Sequence, residues 1–470
     1  MRFNAKRYVW LPLFMLLCWI VFPQGFFGRS ASPATTAQFQ AVASNLFILR
    51  TPAATRDTVC DKNGLQVIRG VDTPGHDVFL VSGPAGSDPA TLEDHVKADD
   101  SVQSFEQVGG VFVPEALAGA SLSQSTVAFL DALSNTSTTS FSGDIVRTSY
   151  VNQAAATIIN LTSAQGMASG SGTIAIIDTG VDPNHPALRR WLVPGFDFVH
   201  NVAGVASEWS DLAQSTVAFL DQSTVAFLDQ TNSAVLNQST VAFLDQSTVA
   251  FLDANKLPAA FGHGTMVAGI VHLVAPTAKI MPLKAFQADG SSNTFDIIRA
   301  IYYAVDNGAN VINMSFSLAG SSQEFVRAIN YATDHGVICI ASAGNNGTDD
   351  LRYPAALRNV IGVASTSNLD VRSTFSNFGS GLITLAAPGE GIITTYPGGH
   401  YAAAWGTSFS APFVAGAPGL LLQFDPKTDF FGGVDALSHA KELTSDLGYG
   451  RLDLYQALTS RLKALRQAKF

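Results

Sequence analysis

The sequence predicts an α/β protein: a parallel sheet with helices on both faces, preceded by a small α+β unit. Three observations carry that prediction. From Lys279 onward, short apolar runs alternate with amphipathic helical stretches. Those runs are unbroken rather than alternating in polarity, as strands covered on both faces must be. Residues 46–108 hold six short segments in the order β-α-β-β-α-β, that of a ferredoxin-like fold. At 470 residues the chain has length for about three domains.

The chain opens with Arg2, Lys6 and Arg7 ahead of the apolar run Tyr8 to Phe22, broken by Pro23-Gln24-Gly25. A basic start, an apolar stretch and the small residues Ser30-Ala31-Ser32 make residues 1–32 a secretory signal peptide. An uncleaved membrane anchor is the alternative, since about 20 apolar residues span a bilayer. Lipid attachment at Cys18 fits poorly, because Cys18 lies inside the run and Trp19 follows it.

A compact unit comes next, at 40–114. Leu46-Phe47-Ile48-Leu49 is strand-like, and Thr51-Pro52 offers an N-cap with Pro at the first helical position. Gly64 stops that helix. Leu65 to Arg69 and Val78 to Val81 are strands, Asp88-Pro89 opens a helix through Val96, and Val102 to Val108 closes the unit. Residues 115–165, rich in Ala, Ser, Thr and Asn, are expected to be linker. They include the octapeptide Gln124-Ser125-Thr126-Val127-Ala128-Phe129-Leu130-Asp131. The same octapeptide returns at 214–221, 222–229, 238–245 and 246–253, with a degenerate copy from Gln230 to Asn237. Eight residues match no solenoid period. The array 214–253 therefore reads as an insertion in a surface loop, where closure cost grows only logarithmically with length.

Thr173-Ile174-Ala175-Ile176-Ile177 is an apolar strand ending in Asp178-Thr179-Gly180. After the array, Phe261-Gly262-His263-Gly264-Thr265 heads an apolar helix. Strand-like Ile280-Met281 leads to a helix with Phe295, Ile297, Ile298, Ile301 and Val305 on one face, ended by Gly308. The strand Ala309 to Met314 follows, then a helix opened by the capping box Ser321-Ser322-Gln323-Glu324 and ended by Gly336. Val337 to Ala341 and Val360 to Ala364 are strands. Finally Gly406-Thr407-Ser408-Phe409-Ser410-Ala411-Pro412 puts a serine at the start of a further apolar helix, where developing negative charge is favoured. Sites in such sheets collect beyond the strand carboxyl ends, and both Asp178 and the loop Ser342-Ala343-Gly344-Asn345-Asn346 fall there.

These three motifs, in the chain order Asp, His, Ser, resemble the subtilisin-like serine peptidases, the subtilase family. The resemblance covers roughly 165–460 and implies a peptidase domain over 166–462. It implies the catalytic set Asp178, His263 and Ser408, with Ser408 as nucleophile, His263 as general base and acid, and Asp178 holding the imidazole tautomer. The oxyanion donors it implies are the Ser408 backbone N–H and the Asn345 side chain, from Ala343-Gly344-Asn345; Asn346 is the neighbouring competitor. Substrate would bind as an added β-strand between Gly290-Ser291-Ser292 and Ser315-Phe316-Ser317, near Ser342 and Gly344. In this family the unit at 40–114 corresponds to an inhibitory propeptide that templates folding and blocks the cleft. An unrelated small binding module is the alternative for that unit. Asp178 and His263 stand 85 residues apart, against about thirty in the family's ordering.

The expected protein is thus a secreted serine endopeptidase, extracellular or periplasmic, made as a zymogen and acting on polypeptides as a monomer. No cofactor is needed for the chemistry; the family often binds structural calcium, at no site the sequence identifies. A net charge of −10 and the absence of a basic cluster beyond the N-terminus argue against nucleic acid as a partner, and no membrane role is expected after signal cleavage. Cys18, Cys60 and Cys339 are not expected to form a disulfide in the body of the protein, and no Cys or His spacing suggests zinc.

Blander readings compete at each residue. Asp-Thr-Gly also marks aspartic peptidases, which need a second such loop, and none exists here. His76, His95, His185, His200, His272, His335, His400 and His439 lack a catalytic context and read as surface or capping residues. Ser315-Phe316-Ser317 stands where the family usually has a leucine and a glycine, Phe409 and Phe413 replace a usual Met and His, and Pro418 should kink or end the nucleophile helix. The competing function is a catalytically silent relative that binds partners through its octapeptides.

Overall fold

The computed structural model describes residues 45–71, 73–113, 136–204, 206–212, 258 and 260–468. The leader, the first octapeptide and the array 214–253 lie outside the described residues. The small unit comprises β1 (Leu46–Arg50), α1 (Ala53–Asn63), β2 (Gln66–Gly70), β3 (Val78–Ser82), α2 (Pro89–Lys97) and β4 (Ser104–Gln107). Its antiparallel sheet has the order β2-β3-β1-β4, so each β-α-β crossover spans a strand of opposite direction. Phe47 stacks on Phe105 at 4.7 Å between centroids, and Leu49, Val59, Val81 and Val96 close around them. Asp88 caps α2 by accepting from Thr91 N–H, with Pro89 in the first turn, as the sequence suggests. At α1 the cap lies one residue later than expected. Pro52 is the N-cap, and the Thr51 hydroxyl is drawn instead to the Ser101 carbonyl. After β4 comes the short strand β5 (Gly110–Phe112).

The stretch expected to be linker is structured from its middle onward. The hairpin β6 (Thr138–Phe141) and β7 (Asp144–Arg147) leads into three short helices, α3 (Thr148–Val151), α4 (Ala154–Ile158) and α5 (Leu161–Gln165). Tyr150, Ala155, Ala156, Ile159, Leu161 and Ala164 all belong to the main core, and Tyr150 donates to the Gly269 carbonyl at 2.6 Å. Small polar residues made this stretch look solvated. Its helices run only four or five residues each, too short for a periodic signal.

The body follows: β8 (Thr173–Asp178), β9 (Gly195–Asp197), β10 (Val202–Gly204), α6 (His263–Val274), β11 (Lys279–Lys284), β12 (Ser291–Asn293), α7 (Thr294–Asp306), β13 (Val311–Met314), α8 (Gln323–Asp334), β14 (Ile338–Ser342), β15 (Val360–Thr366) and β16 (Leu385–Pro388). The hairpin β17 (Ile392–Tyr396) and β18 (His400–Ala404), then α9 (Thr407–Leu422), α10 (Phe430–Leu437) and α11 (Leu454–Gln467) complete it. Eight strands run in the order β10-β9-β11-β8-β13-β14-β15-β16, parallel throughout except β10.

Strand β8 shows why both faces are covered. Ile174 and Ile176 enter one core with α6 and α9, while Ala175 and Ile177 enter the other with α7 and α8. From β8 the chain crosses through α6 to β11 on one side, then through α7 to β13 on the other. The reversal opens a crevice at the carboxyl end of β8, where Asp178 stands.

Three further expectations need correction. Helix α8 is capped by Ser322, which accepts from Phe325 N–H, so the capping box does not form and Glu324 faces inward, fully buried. Pro418 does not end α9, which continues to Leu422 with every residue buried. A proline costs a helix about 3 kcal/mol, while burying Leu420, Leu421 and Leu422 returns about 1.5–3 kcal/mol each. His185 and His272, expected at the surface, are buried against aromatic rings.

Candidate active site

Three element ends meet at the crevice. Asp178 is the last residue of β8, His263 the first of α6, and Ser408 the second of α9. His263 Nδ1–H donates to Asp178 Oδ1 at 2.7 Å, and Thr179 N–H donates to the same oxygen at 2.7 Å. Because a carboxylate only accepts, the imidazole proton resides on Nδ1, leaving Nε2 as the basic nitrogen. Both side chains are buried, at 2% and 1% exposure, so their attraction is little screened by water. The Phe409 ring lies 5.4 Å from the His263 ring, bringing the head of α9 against the histidine.

Glycines let these ends approach. A Cβ at Gly264 would stand 2.0 Å from the Gly180 carbonyl oxygen, and one at Gly180 would strike the backbone of Ala206, Ser207 and Glu208. This explains why a glycine follows both Asp178-Thr179 and His263.

The Ser408 hydroxyl donates to the Ser315 carbonyl at 3.1 Å, and Ser315 Oγ donates to the Ser408 carbonyl at 2.9 Å. Since α9 begins at Thr407, the Ser408 N–H falls in the first turn, where amides have no intrahelical acceptor. Asn345 Oδ1 accepts from Thr407 N–H at 2.9 Å and Thr407 Oγ1 at 2.8 Å. That pairing leaves Nδ2 as the donor end of the Asn345 amide. Asn346 is exposed and holds Asn377 Oδ1 through its backbone N–H at 3.0 Å. Gly344, at φ 98°, donates to Thr407 Oγ1 at 3.1 Å.

The expected substrate groove is occupied by the chain itself. Strand β5 pairs antiparallel with β12, Ser291 facing Phe112 and Ser292 facing Val111. Val113 N–H extends that pairing to the Gly290 carbonyl at 3.0 Å, and on its other edge Phe112 bridges Ser317. Ser291 and Ser292 spend their hydroxyls inward, on Asp289 and on the Ala285 carbonyl, so backbone lines this edge. Phe316 sends its ring into the core against Phe286, 5.1 Å away, and does not wall the groove; Ser342 too is buried.

A second buried group went unnoticed in the sequence. Glu208, in a short 3-10 turn (Glu208–Asp211), is fully buried against residues that flank Asp178 and His263 in the chain. Its carboxyl accepts from Thr179 Oγ1 at 3.2 Å and Gly262 N–H at 3.0 Å, and pairs with Thr265 Oγ1. Burial pushes it up to about 8, with Asp182 and Asp178 adding to the rise and the Thr265 hydrogen bond and Lys284 opposing it. Lys284 is itself buried, donating to Asp211 at 2.7 Å and to the Thr179 carbonyl at 2.8 Å. Nothing near Glu208 in the sequence marks it, because its partners lie 29 and 57 residues away. Among the described residues no group of three or more His, Cys, Asp or Glu converges as a cation site would.

Residues 170–453 match the model of the subtilase family, well over half of the chain. The chain belongs to the subtilase family. Its relatives include thermitase of Thermoactinomyces vulgaris, 34% identical over 56% of this chain and 79% of that one. Subtilisin Savinase of Lederbergia lenta is 36% identical over 40% of this chain and 71% of its own. Among solved structures, a protease of Pseudoalteromonas arctica shares 27% identity at a TM-score of 0.51, covering 64% of this chain and 94% of that one. Fervidolysin of Fervidobacterium pennivorans shares the fold at a TM-score of 0.63 and 22% identity, over 88% of this chain and 61% of its own. Subtilases are serine endopeptidases, and the subtilisin-like α/β fold expected from the sequence is the one observed.

Proposed function

We propose that this chain is a secreted serine endopeptidase made as a zymogen, with Ser408, His263 and Asp178 as its catalytic residues. The observation that carries the reading is the 2.7 Å contact from His263 Nδ1 to Asp178, with Nε2 left as base at the head of α9. In this reading Ser408 Oγ attacks a peptide carbonyl while its proton passes to His263 Nε2. The tetrahedral oxyanion takes the Ser408 N–H and Asn345 Nδ2 as donors. The imidazolium, stabilised by Asp178, then protonates the leaving amine, and water hydrolyses the acyl-enzyme by the same steps in reverse.

The small unit acts as the chain's own inhibitor. Strand β5 already holds the groove in the geometry of a bound peptide, between Gly290-Ser291-Ser292 and Ser317. Asp178, His263 and Ser408 are all buried in the full chain, which fits a latent state. Backbone pairing of this kind makes for broad acceptance of polypeptide substrates, and a net charge of −10 speaks against a nucleic-acid partner. Secretion is supported by the basic-then-apolar start of the sequence, and no described helix is long and apolar enough to cross a membrane.

A fluorophosphonate probe tests the reading. The matured chain should label at Ser408, and the Ser408→Ala chain should not. Absence of labelling on a folded, processed chain would favour the silent, partner-binding relative instead.

A further inference from the structure

Three backbone or hydroxyl groups that flank the catalytic candidates converge on one side chain outside the triad, and a fourth reaches it through one of them. Thr179 follows Asp178, Gly262 precedes His263, and Gly264 and Thr265 come after it. Thr179 Oγ1 accepts from Gly264 N–H at 3.0 Å and donates to Glu208 at 3.2 Å. Gly262 N–H donates to the same Glu208 oxygen at 3.0 Å. The other Glu208 oxygen pairs with Thr265 Oγ1, which also accepts from Asp182 N–H at 2.8 Å. Gly262, the N-cap of α6 at φ 91°, has no side chain with which to cap the helix. Glu208 and Thr179 supply the missing acceptors from outside, for the N–H groups of Gly262 and Gly264.

We propose that Glu208 is a positioning residue for the proteolytic reaction: it ties the end of β8 to the head of α6 and so sets the Asp178–His263 hydrogen bond. The inference rests on the proposed peptidase function. The fixed end of the tie is its own turn, since Asp211 accepts from Lys284 Nζ at 2.7 Å and Ala288 N–H at 2.5 Å. Val181 N–H also donates to the Ala206 carbonyl at 2.9 Å, which docks the turn on the Asp178 loop. The groups facing the Glu208 carboxyl are Thr179, Thr265, Gly262, Asp182, Asp178, Lys284 and Tyr396. In that setting burial pushes the carboxyl up to about 8, which favours its neutral form. A neutral amide can therefore replace it: glutamine keeps one oxygen for Thr179 and Gly262 and offers an N–H to Thr265.

The test compares Glu208→Gln, Glu208→Ala and Thr265→Val with the parent full-length chain and its matured form. For Glu208→Ala, kcat on a short peptide should fall about 10²-fold with KM unchanged, the loss typical of a misplaced catalytic group. Glu208→Gln should stay within about threefold of the parent at neutral pH, and should weaken the change in rate that the parent shows as pH passes through about 8. The low-field proton resonance of His263 Nδ1 should persist in the parent and Glu208→Gln, and shift or broaden in Glu208→Ala. That resonance reads the tie without any turnover, so a parent lacking peptidase activity would sink the proposed function while leaving this inference open to judgement. If the alanine chain does not fold, Thr265→Val, which keeps shape and loses one hydroxyl, should cost about tenfold in kcat with KM unchanged and move the same resonance. An unmoved resonance and unchanged kcat in Glu208→Ala, or in Thr265→Val where alanine does not fold, would overturn the proposal.

Discussion

Ser408 Oγ and Asn345 Nδ2 are the two atoms on which the proposed chemistry turns. Ser408→Ala should abolish peptidase activity and leave an uncut precursor; the loss known for subtilisin itself is about 10⁶-fold in kcat. Near-normal turnover in that variant would end the mechanism. Asn345→Leu should lower kcat by about 10²–10³ with little change in KM, again the range known for subtilisin, because its amide serves the oxyanion and not the bound substrate. The hydrogen bonds from Thr407 N–H and Oγ1 fix the Asn345 amide beside Ser408, whereas Asn346 lies exposed. Kinetics of Asn346→Leu provide the control: a larger loss there would move the oxyanion donor by one residue.

Helix α6 shows how an element can carry a pH dependence unrelated to catalysis. Its His272 is buried beside Trp191 and Phe141, at 5.8 and 5.4 Å between ring centroids, and burial pushes it down to about 3. His185 is lowered to about 4, mainly by burial, with His400 adding to the fall and the His400 carbonyl and Asp182 opposing it. Both native rings stay neutral while the unfolded chain protonates them near 6.5, so the unfolded state binds more protons below that pH. The stability these rings confer is complete above about 6.5 and is lost as pH falls toward about 4 and 3. Urea unfolding of the Ser408→Ala chain between pH 7 and 4 should show this decline, and His272→Leu should flatten it. An equally steep decline in His272→Leu would assign the acid limb to other groups.

At the scale of the molecule, the small unit meets the body through the β5–β12 pairing, through apolar residues such as Ile48, Val78 and Val108 in the core beside α7, and through charged contacts around α7 and α8. Arg50 of β1 donates to the fully buried Glu324 at 2.7 Å, and Glu106 of β4 accepts from the N–H groups of Gln323 and Glu324 at the start of α8. His76 meets Asp306 at 2.8 Å and lies over Tyr302. Removing one partner of a buried pair costs about 3–5 kcal/mol when the other charge is left alone; Glu324 would keep Arg327 at 3.3 Å and the Ser104 hydroxyl, so the loss of Arg50 costs less than that. Arg50→Ala in the Ser408→Ala background should therefore speed hydrogen exchange in β1 and β5 at least about tenfold, while α6 and α9 stay protected. Equal protection with and without Arg50 would locate the hold elsewhere. Deleting residues 214–253 addresses the array, whose identical tandem copies each carry too little apolar surface to form a core. The shortened chain should fold, mature and cleave a short peptide as the parent does. Loss confined to protein substrates would point to a docking role for the octapeptides, and failure to fold would make them part of the core.

Local chemistry was enough to reveal most of the architecture. Unbroken apolar runs such as Thr173 to Ile177 need cover on both faces, and Asp88-Pro89 or Gly64 mark helix ends by their own backbone preferences. The motifs around Asp178, His263 and Ser408 were equally legible, in part because Gly180 and Gly264 answer backbone approaches too close for a Cβ. Tertiary structure decided whatever depends on partners distant in the chain. Glu324 looked like a helix cap and became a buried anchor for Arg50; Pro418 looked like a helix end and was overridden by the burial around it. Residues 138–165 looked like linker and became part of the core, and His272 looked exposed. Glu208 had no local signal at all, since a carboxyl acquires its role from Thr179, Gly262 and Thr265 only when β8 and α6 meet. Backbone preference and apolar patterning are written within a few residues, whereas the cost of burying a polar group is set by what the fold brings to it.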